Sequence, residues 1–458
     1  MNADNAEDPP KARLVTEVWG VFRSFLAARR NLLEIIPEAA TRRSILSGRT
    51  GGVRWHMVCD PASIRRILKD NVANYPKSPV TKNILEPAIG DSLFVAEGEH
   101  WRWQRQAAAP VFTYRNVAAL APIMSEAADA ACRRLETCGG KAEMHEAMVR
   151  ATFDVIGRVT LTGSGRMDSA FVHGAIESYI ASTARISLLD IAGIPMRIPR
   201  LRQWTSTKPL RTIRRIADEA IAHRIASGPM PVPDVLDALL DGIDPESGRR
   251  MNPHELRDNL LAFIVAGHET TALALAWSLF LLAYDPGVQE RLRAETIAVL
   301  GGRTATAADV NRLSLTRQVI DEALRLYPPA AILSRSAQRA DELCGRDIRQ
   351  GDTIILPIYA LHRHHQLWDR PDSFDPDRFS NGRPVDRFAY LPFGDGPRVC
   401  IGASFALTEA VIILATLISR FRFRRLPGPG PKPVMILTLR PHGGIHLEVE
   451  ALPSRTAS

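Results

Sequence analysis

The chain has 458 residues, 45% of them hydrophobic and 24% charged; its mean hydropathy is −0.08. It can bury a large core, and the balance excludes both a disordered chain and a polytopic membrane protein. Five scattered cysteines (59, 132, 138, 344 and 400) without a Cys-x-x-Cys pair exclude a disulfide framework and the common structural zinc sites, and point to a reducing cytoplasm. The 58 basic and 50 acidic residues give a net charge of +8. The basic residues come as dispersed pairs, such as Arg29-Arg30 and Arg424-Arg425, with no nucleic-acid motif, so nucleic-acid binding is set aside.

Residues 1–10 are polar and acidic, unlike a signal peptide. Residues 14–36 place Val15, Val18, Phe22, Phe25, Leu26, Leu33 and Ile36 at near-helical spacing, which predicts an amphipathic helix packed on the body. The chain thus divides into residues 1–40, a polar tail with that helix, and residues 41–458, one large domain. A strand is predicted over 53–58, then helices over 61–70 behind an Asp60 cap, 99–112, 116–135 and 153–161.

Asn252, Pro253 and Glu255 open a long helix that Asp285-Pro286 closes, a rod of roughly 48 Å. Its apolar part, 260–283, is interrupted by His268, Glu269, Thr270 and Thr271, which makes it a buried core helix and not a transmembrane anchor. Helices over 286–300, 315–327 and 403–419 and strands over 352–357, 434–439 and 444–449 complete the pattern, with a long irregular stretch over 363–397. The fold class is mainly α with small β-sheets (α+β).

The most informative segment is Phe393-Gly394-Asp395-Gly396-Pro397-Arg398-Val399-Cys400-Ile401-Gly402, directly before an apolar helix. A cysteine at a helix N-terminus is favoured as the thiolate a metal ligand must be. Gly394 and Gly396 permit a tight loop under a flat group, Gly402 permits close approach of the helix, and Arg398 can reach an anionic edge. In Ala266-Gly267-His268-Glu269-Thr270-Thr271, a glycine, an acid and an alcohol sit inside a buried apolar helix. Either Thr270 bonds back to a carbonyl and Glu269 pairs with a cation, or the group serves chemistry. Glu322 and Arg325 share a helix face, as an ordinary ion pair does.

Together these segments resemble the cytochrome P450 family of haem-thiolate monooxygenases, whose Phe-x-x-Gly-x-Arg-x-Cys-x-Gly fingerprint is complete here. The motifs run in family order from residue 98 to 402, and the resemblance covers nearly the whole chain; it implies the P450 fold, with haem b between the long central helix and the cysteine-loop helix. It makes Cys400 the iron ligand and Arg398 a propionate contact. Ala266 and Gly267 mark where the central helix opens for O2, and Glu269 and Thr270 relay protons. Glu322, Arg325 and Arg378 form a buried structural cluster. Trp101 and Arg105, with His100 and Arg335, are further propionate contacts. His364-His365 is read as surface or packing.

The resemblance further implies an apolar substrate of terpenoid, steroid or fatty-acyl type, bound among Leu93, Phe94, Phe263, Ala331, Ile332 and Leu437. Electrons would come from a separate ferredoxin or flavodoxin with an NAD(P)H-dependent reductase, because the 56 residues after Gly402 cannot hold a reductase domain. Arg102, Arg105 and residues 420–425 would form its docking patch. A non-catalytic haem-binding sensor or carrier is the alternative.

Overall fold

In a computed structural model, residues 8–16, 21–160, 174, 207–380 and 385–453 are described. Helix Pro253–Tyr284 is the axis of the molecule. Its start follows from the sequence: the Asn252 side chain accepts from the N–H groups of His254 and Glu255, and Glu255 answers as a capping box. From Leu260 to Ala283 it is buried almost throughout, packed against Met144–Thr160, Ser314–Leu326 and Ala403–Arg420. The central and cysteine helices are long and apolar enough to cross a membrane, yet 78% and 61% of those stretches lie inside the fold.

Among the described residues four small sheets border the helices. β1 (Ile45–Thr50), β2 (Val53–Val58), β7 (Thr353–Leu356) and β4 (Leu333–Ser336) form one, in the order β1-β2-β7-β4, with only β2 and β7 parallel. β3 (Lys141–Glu143), β11 (His446–Ala451) and β8 (Phe421–Arg425) form another. β5 (Asp341–Leu343) pairs with β6 (Arg346–Ile348), and β9 (Lys432–Met435) with β10 (Leu439–His442). One continuous apolar core runs from Ala12 to Val449.

The predicted helix over 14–36 is shorter in the structure, with residues 17–20 outside the described part. Val15 pairs with Pro37 in an isolated bridge, the helix is Val21–Arg30, and Asn31 ends it. Asn31 caps a 3-10 turn at Leu32–Ile35 while its amide donates to the Pro433 carbonyl of β9, so the chain must bend there. The helix predicted over 153–161 begins nine residues earlier, and Leu161 lies outside the described residues. Helices Pro79–Ile89, Thr207–Ser227 and Val235–Asp241 were not predicted, although Ile213, Ile216, Ala217, Ala220 and Ile221 of the second recur at helical spacing and are buried.

Candidate active site

The cysteine loop folds as its glycines require. Gly394 and Gly396 adopt φ of +67° and +71°, and a Cβ on Gly396 would stand 1.8 Å from the Leu68 carbonyl oxygen. The Cys400 N–H donates to the Phe393 carbonyl at 2.9 Å, closing the loop under the start of Ala403–Arg420. Gly402 is different from the expectation. Its Cβ would meet Phe112 at an ordinary 3.7 Å, so nothing in the chain itself demands a glycine there.

Cys400 is accessible although protein surrounds it closely, the situation of a side chain at the floor of a cleft. Burial pushes its thiol up, against the Gly402 N–H and the Arg105 guanidinium, which favour the thiolate. The helix start alone therefore does not ionise this sulfur; a cation bound to it would. The central helix is buried on both flanks but partly open at Val265, Ala266, Gly267 and Thr270.

One edge of the cleft gathers cations. The Arg398 guanidinium lies 4.0 Å and that of Arg105 5.9 Å from the Trp101 ring centre. Arg398 also donates to the Ala96 carbonyl at 2.7 Å and pairs with Glu97. Arg335, buried on β4, is pushed down to about 10 by desolvation and then by Arg398. Lys77, which the sequence reading missed, bridges to Arg335 and is pushed down to about 7 by desolvation, then by Arg398 and Arg335. Thus Lys77, Arg335 and Arg398 lie around one carboxylate, Glu97, which Lys82 also approaches at 3.9 Å, while Arg105 stands beside Arg398 and the Cys400 sulfur. No sequence motif flags Lys77 or Glu97; only the fold brings them here.

His100 does not join them. Its Nε2 meets Gln104 at 2.7 Å and Asp91 at 3.2 Å, and its Nδ1 accepts from Trp103 at 3.3 Å, so the ring is engaged elsewhere by Trp101's own helix. Arg105 faces inward, which removes it from the expected docking patch. Arg420, Arg422 and Arg424 of that patch are paired with Asp129, Glu290 and Glu450.

On the central helix the local, bland arrangement is the one found. Thr270 donates to the Ala266 carbonyl at 2.8 Å, and the helix is unbroken through Ala266 and Gly267. A Cβ on Gly267 would lie 2.9 Å from Ile156, so this glycine lets Met144–Thr160 pack close. Glu269, 2% exposed, accepts from Thr438 at 2.8 Å and pairs with Arg440, two residues of the C-terminal hairpin that sequence did not reveal.

Glu322 and Arg325 are fully buried, not an exposed pair. Arg325 uses all five donors: two to Glu322, the others to the carbonyls of His362, Pro371 and Ser373. Arg378 reaches Glu322 at 3.3 Å and the Arg370 carbonyl at 2.7 Å. The irregular stretch is ordered by these two arginines satisfying its backbone. His362 is fully buried, pushed down to about 3 by desolvation and Arg325, and accepts from the Leu391 N–H; His364 is also buried. Among the described residues no His, Cys, Asp and Glu cluster could hold a metal.

An accessible sulfur at the head of a helix packed on the half-open central helix, beside four cations of which three surround one carboxylate, fits a flat group with a metal at its centre and two anionic arms. The fold and this site define a haem-thiolate oxidoreductase. The cytochrome P450 family model matches residues 16–449, and the chain belongs to that family, whose members bind haem b. It is 32% identical over 425 residues to cyclooctatin synthase of Streptomyces melanosporofaciens, covering 91% of each chain. Cyclooctat-9-en-7-ol 5-monooxygenase of the same organism is 33% identical, with 88% of this chain and 87% of the relative covered. The crystal structure of the cytochrome P450DA heme domain superposes with a TM-score of 0.78 at 26% identity, covering 90% of each chain.

Proposed function

We propose that this P450 inserts one oxygen atom of O2 into a C–H bond of an apolar, terpenoid-like molecule, releasing the other as water and consuming two electrons and two protons. The observation that carries it is the accessible Cys400 at the head of the helix that packs on the central helix. Haem, when bound, supplies the O2 chemistry. Cys400 would ligate the iron as thiolate; Arg398, Arg105, Arg335 and Lys77 would hold the two propionates, with Trp101 as their apolar backing. Thr270 presents a hydroxyl to the cleft, where it can pass a proton, and Glu269 is the nearest buried acid.

Leu93, Phe263 and Ala331 are buried, Ile332 and Leu437 partly so, and Phe94 is 40% exposed; we read them as the apolar wall of the substrate site. Such a wall binds by area, at about 25 cal/mol per Å², and does little to compensate a desolvated charge. The relative whose name specifies a cyclic alkenol supports the terpenoid choice over a free fatty acid. Electrons are read as coming from a ferredoxin or flavodoxin. The test is the reduced, carbon monoxide-bound spectrum, whose long-wavelength Soret band is expected in the wild type and absent in Cys400→Ser. Terpenoid alcohols should then shift the haem spin state; a shift confined to highly polar ligands would overturn the substrate class.

A further inference from the structure

Glu269 and Thr270 are neighbours on one helix, so their side chains leave it about 100° apart. Thr270 opens toward the cleft, whereas Glu269 turns to the C-terminal hairpin β9–β10. There one oxygen, Oε1, accepts from the Thr438 hydroxyl and from Arg440, and Arg440 Nε also lies 3.4 Å from the Thr438 hydroxyl. The hairpin is itself fixed at both strands: Met435 donates to Asn31 at 3.0 Å and Leu439 to the Pro329 carbonyl at 3.0 Å. The carboxylate therefore docks on a rigid partner.

Exposure sets the direction of the pair. The Arg440 side chain is 24% exposed and that of Glu269 3%, so the guanidinium spans from solvent to the buried acid. Removing one partner of a pair this deep would leave an uncompensated buried charge. We propose that Arg440, helped by Thr438, is a positioning residue for Glu269: it holds the acid as an ion pair on the hairpin, one side chain from solvent and one residue from Thr270, so that protons enter the cleft through this pair. This rests on the reading of Glu269 as the relay acid. It also makes the hairpin a shared element, since Leu437 of the apolar wall precedes Thr438 directly.

The test uses the haem-loaded enzyme, with Arg440→Gln, Arg440→Lys, Glu269→Gln and the double variant Glu269→Gln/Arg440→Gln. Two quantities are read: the ratio of hydrogen peroxide to product under turnover, and the infrared band of a protonated carboxyl group in the resting protein. Arg440→Gln is expected to raise the peroxide ratio about fivefold, the scale of an interaction energy between contacting residues. Arg440→Lys should recover most of this, and Arg440→Gln should add nothing in the Glu269→Gln background. A carboxyl band absent from the wild type should appear in Arg440→Gln and vanish in the double variant.

An unchanged band and ratio in Arg440→Gln would overturn the proposal, as would an undiminished effect of Arg440→Gln when Glu269 is already Gln. If Glu269→Gln alone left the ratio unchanged, the relay reading would fall, and the infrared band would still decide whether Arg440 holds the acid ionised. Should Arg440→Gln not fold, Thr438→Val carries the same comparison in the wild-type and Glu269→Gln backgrounds, and a wild-type ratio in Thr438→Val would overturn the proposal.

Discussion

Replacing Glu322 by Ala tests the buried cluster where its bonds are most concentrated. The carboxylate accepts four times: twice from Arg325, once from Arg378, and once from the Asp375 N–H at 2.9 Å. Arg325 is entirely buried and Arg378 nearly so, and no water can replace the lost acceptor without the loop opening. Removing one partner of a buried pair costs about 3–5 kcal/mol, because an uncompensated charge is left inside. Against a total stability of about 5–15 kcal/mol, that is enough to release the loop ahead of the cysteine. Urea unfolding of the haem-loaded protein should show the loss, together with a haem content well below one per chain. Glu322→Gln should also destabilise, because its amide would aim an N–H at a guanidinium. An unfolding free energy for Glu322→Ala within about 1 kcal/mol of the wild type would refute the reasoning, since it would mean that the cluster is hydrated or dispensable.

Gly396→Ala must place a Cβ against the Leu68 carbonyl in a left-handed backbone, costing about 1–2 kcal/mol for the conformation and more for the clash; calorimetry should show a lower melting temperature. Gly402→Ala, with only an ordinary Phe112 contact, should leave the haem-free fold unchanged and weaken haem retention if the glycine serves the cofactor. Lys77 is held near 7, below its ordinary value, so between pH 7 and about 10 the unfolded chain binds more protons at this residue than the folded one. The unfolding midpoint of the haem-free wild type should therefore rise relative to Lys77→Met over that window, and parallel curves would refute it. Thr270→Ala should keep full haem content while more electrons end as peroxide, measured as product per NAD(P)H; a drop in haem content would make Thr270 structural.

The long helices were legible because their signals are local. Asn252 to Glu255 form the cap the sequence announces, and Asp285-Pro286 ends the rod at Tyr284 as predicted. The cysteine loop was legible for the same reason: its two left-handed glycines and its cysteine are contiguous. What sequence concealed depends on pairs far apart. Lys77 meets Arg335 and Arg440 meets Glu269 only after folding, and no spacing rule links them. His100 was expected beside Trp101, but proximity in sequence does not fix which side of the helix a ring occupies; here Gln104 and Asp91 hold it. The helix over 14–36 was overextended because an apolar stripe persists past Asn31, whose side chain serves a strand four hundred residues away.

That last contact has a consequence for how the protein is made. The Asn31 amide meets the backbone at Pro433 and Met435, separations of 402 and 404 residues. Tyr327 and Tyr359 likewise tie their hydroxyls to Pro10 and Ala12. Residues 10–31 must therefore wait for 317 to 404 further residues before they find these partners, roughly 15 to 80 s at ordinary elongation rates. During that interval Leu33 and Ile36, which end fully buried, have no finished core to enter. The nascent amino-terminal segment is thus the stretch that chaperones would guard longest, and its closure onto the hairpin marks the completion of folding.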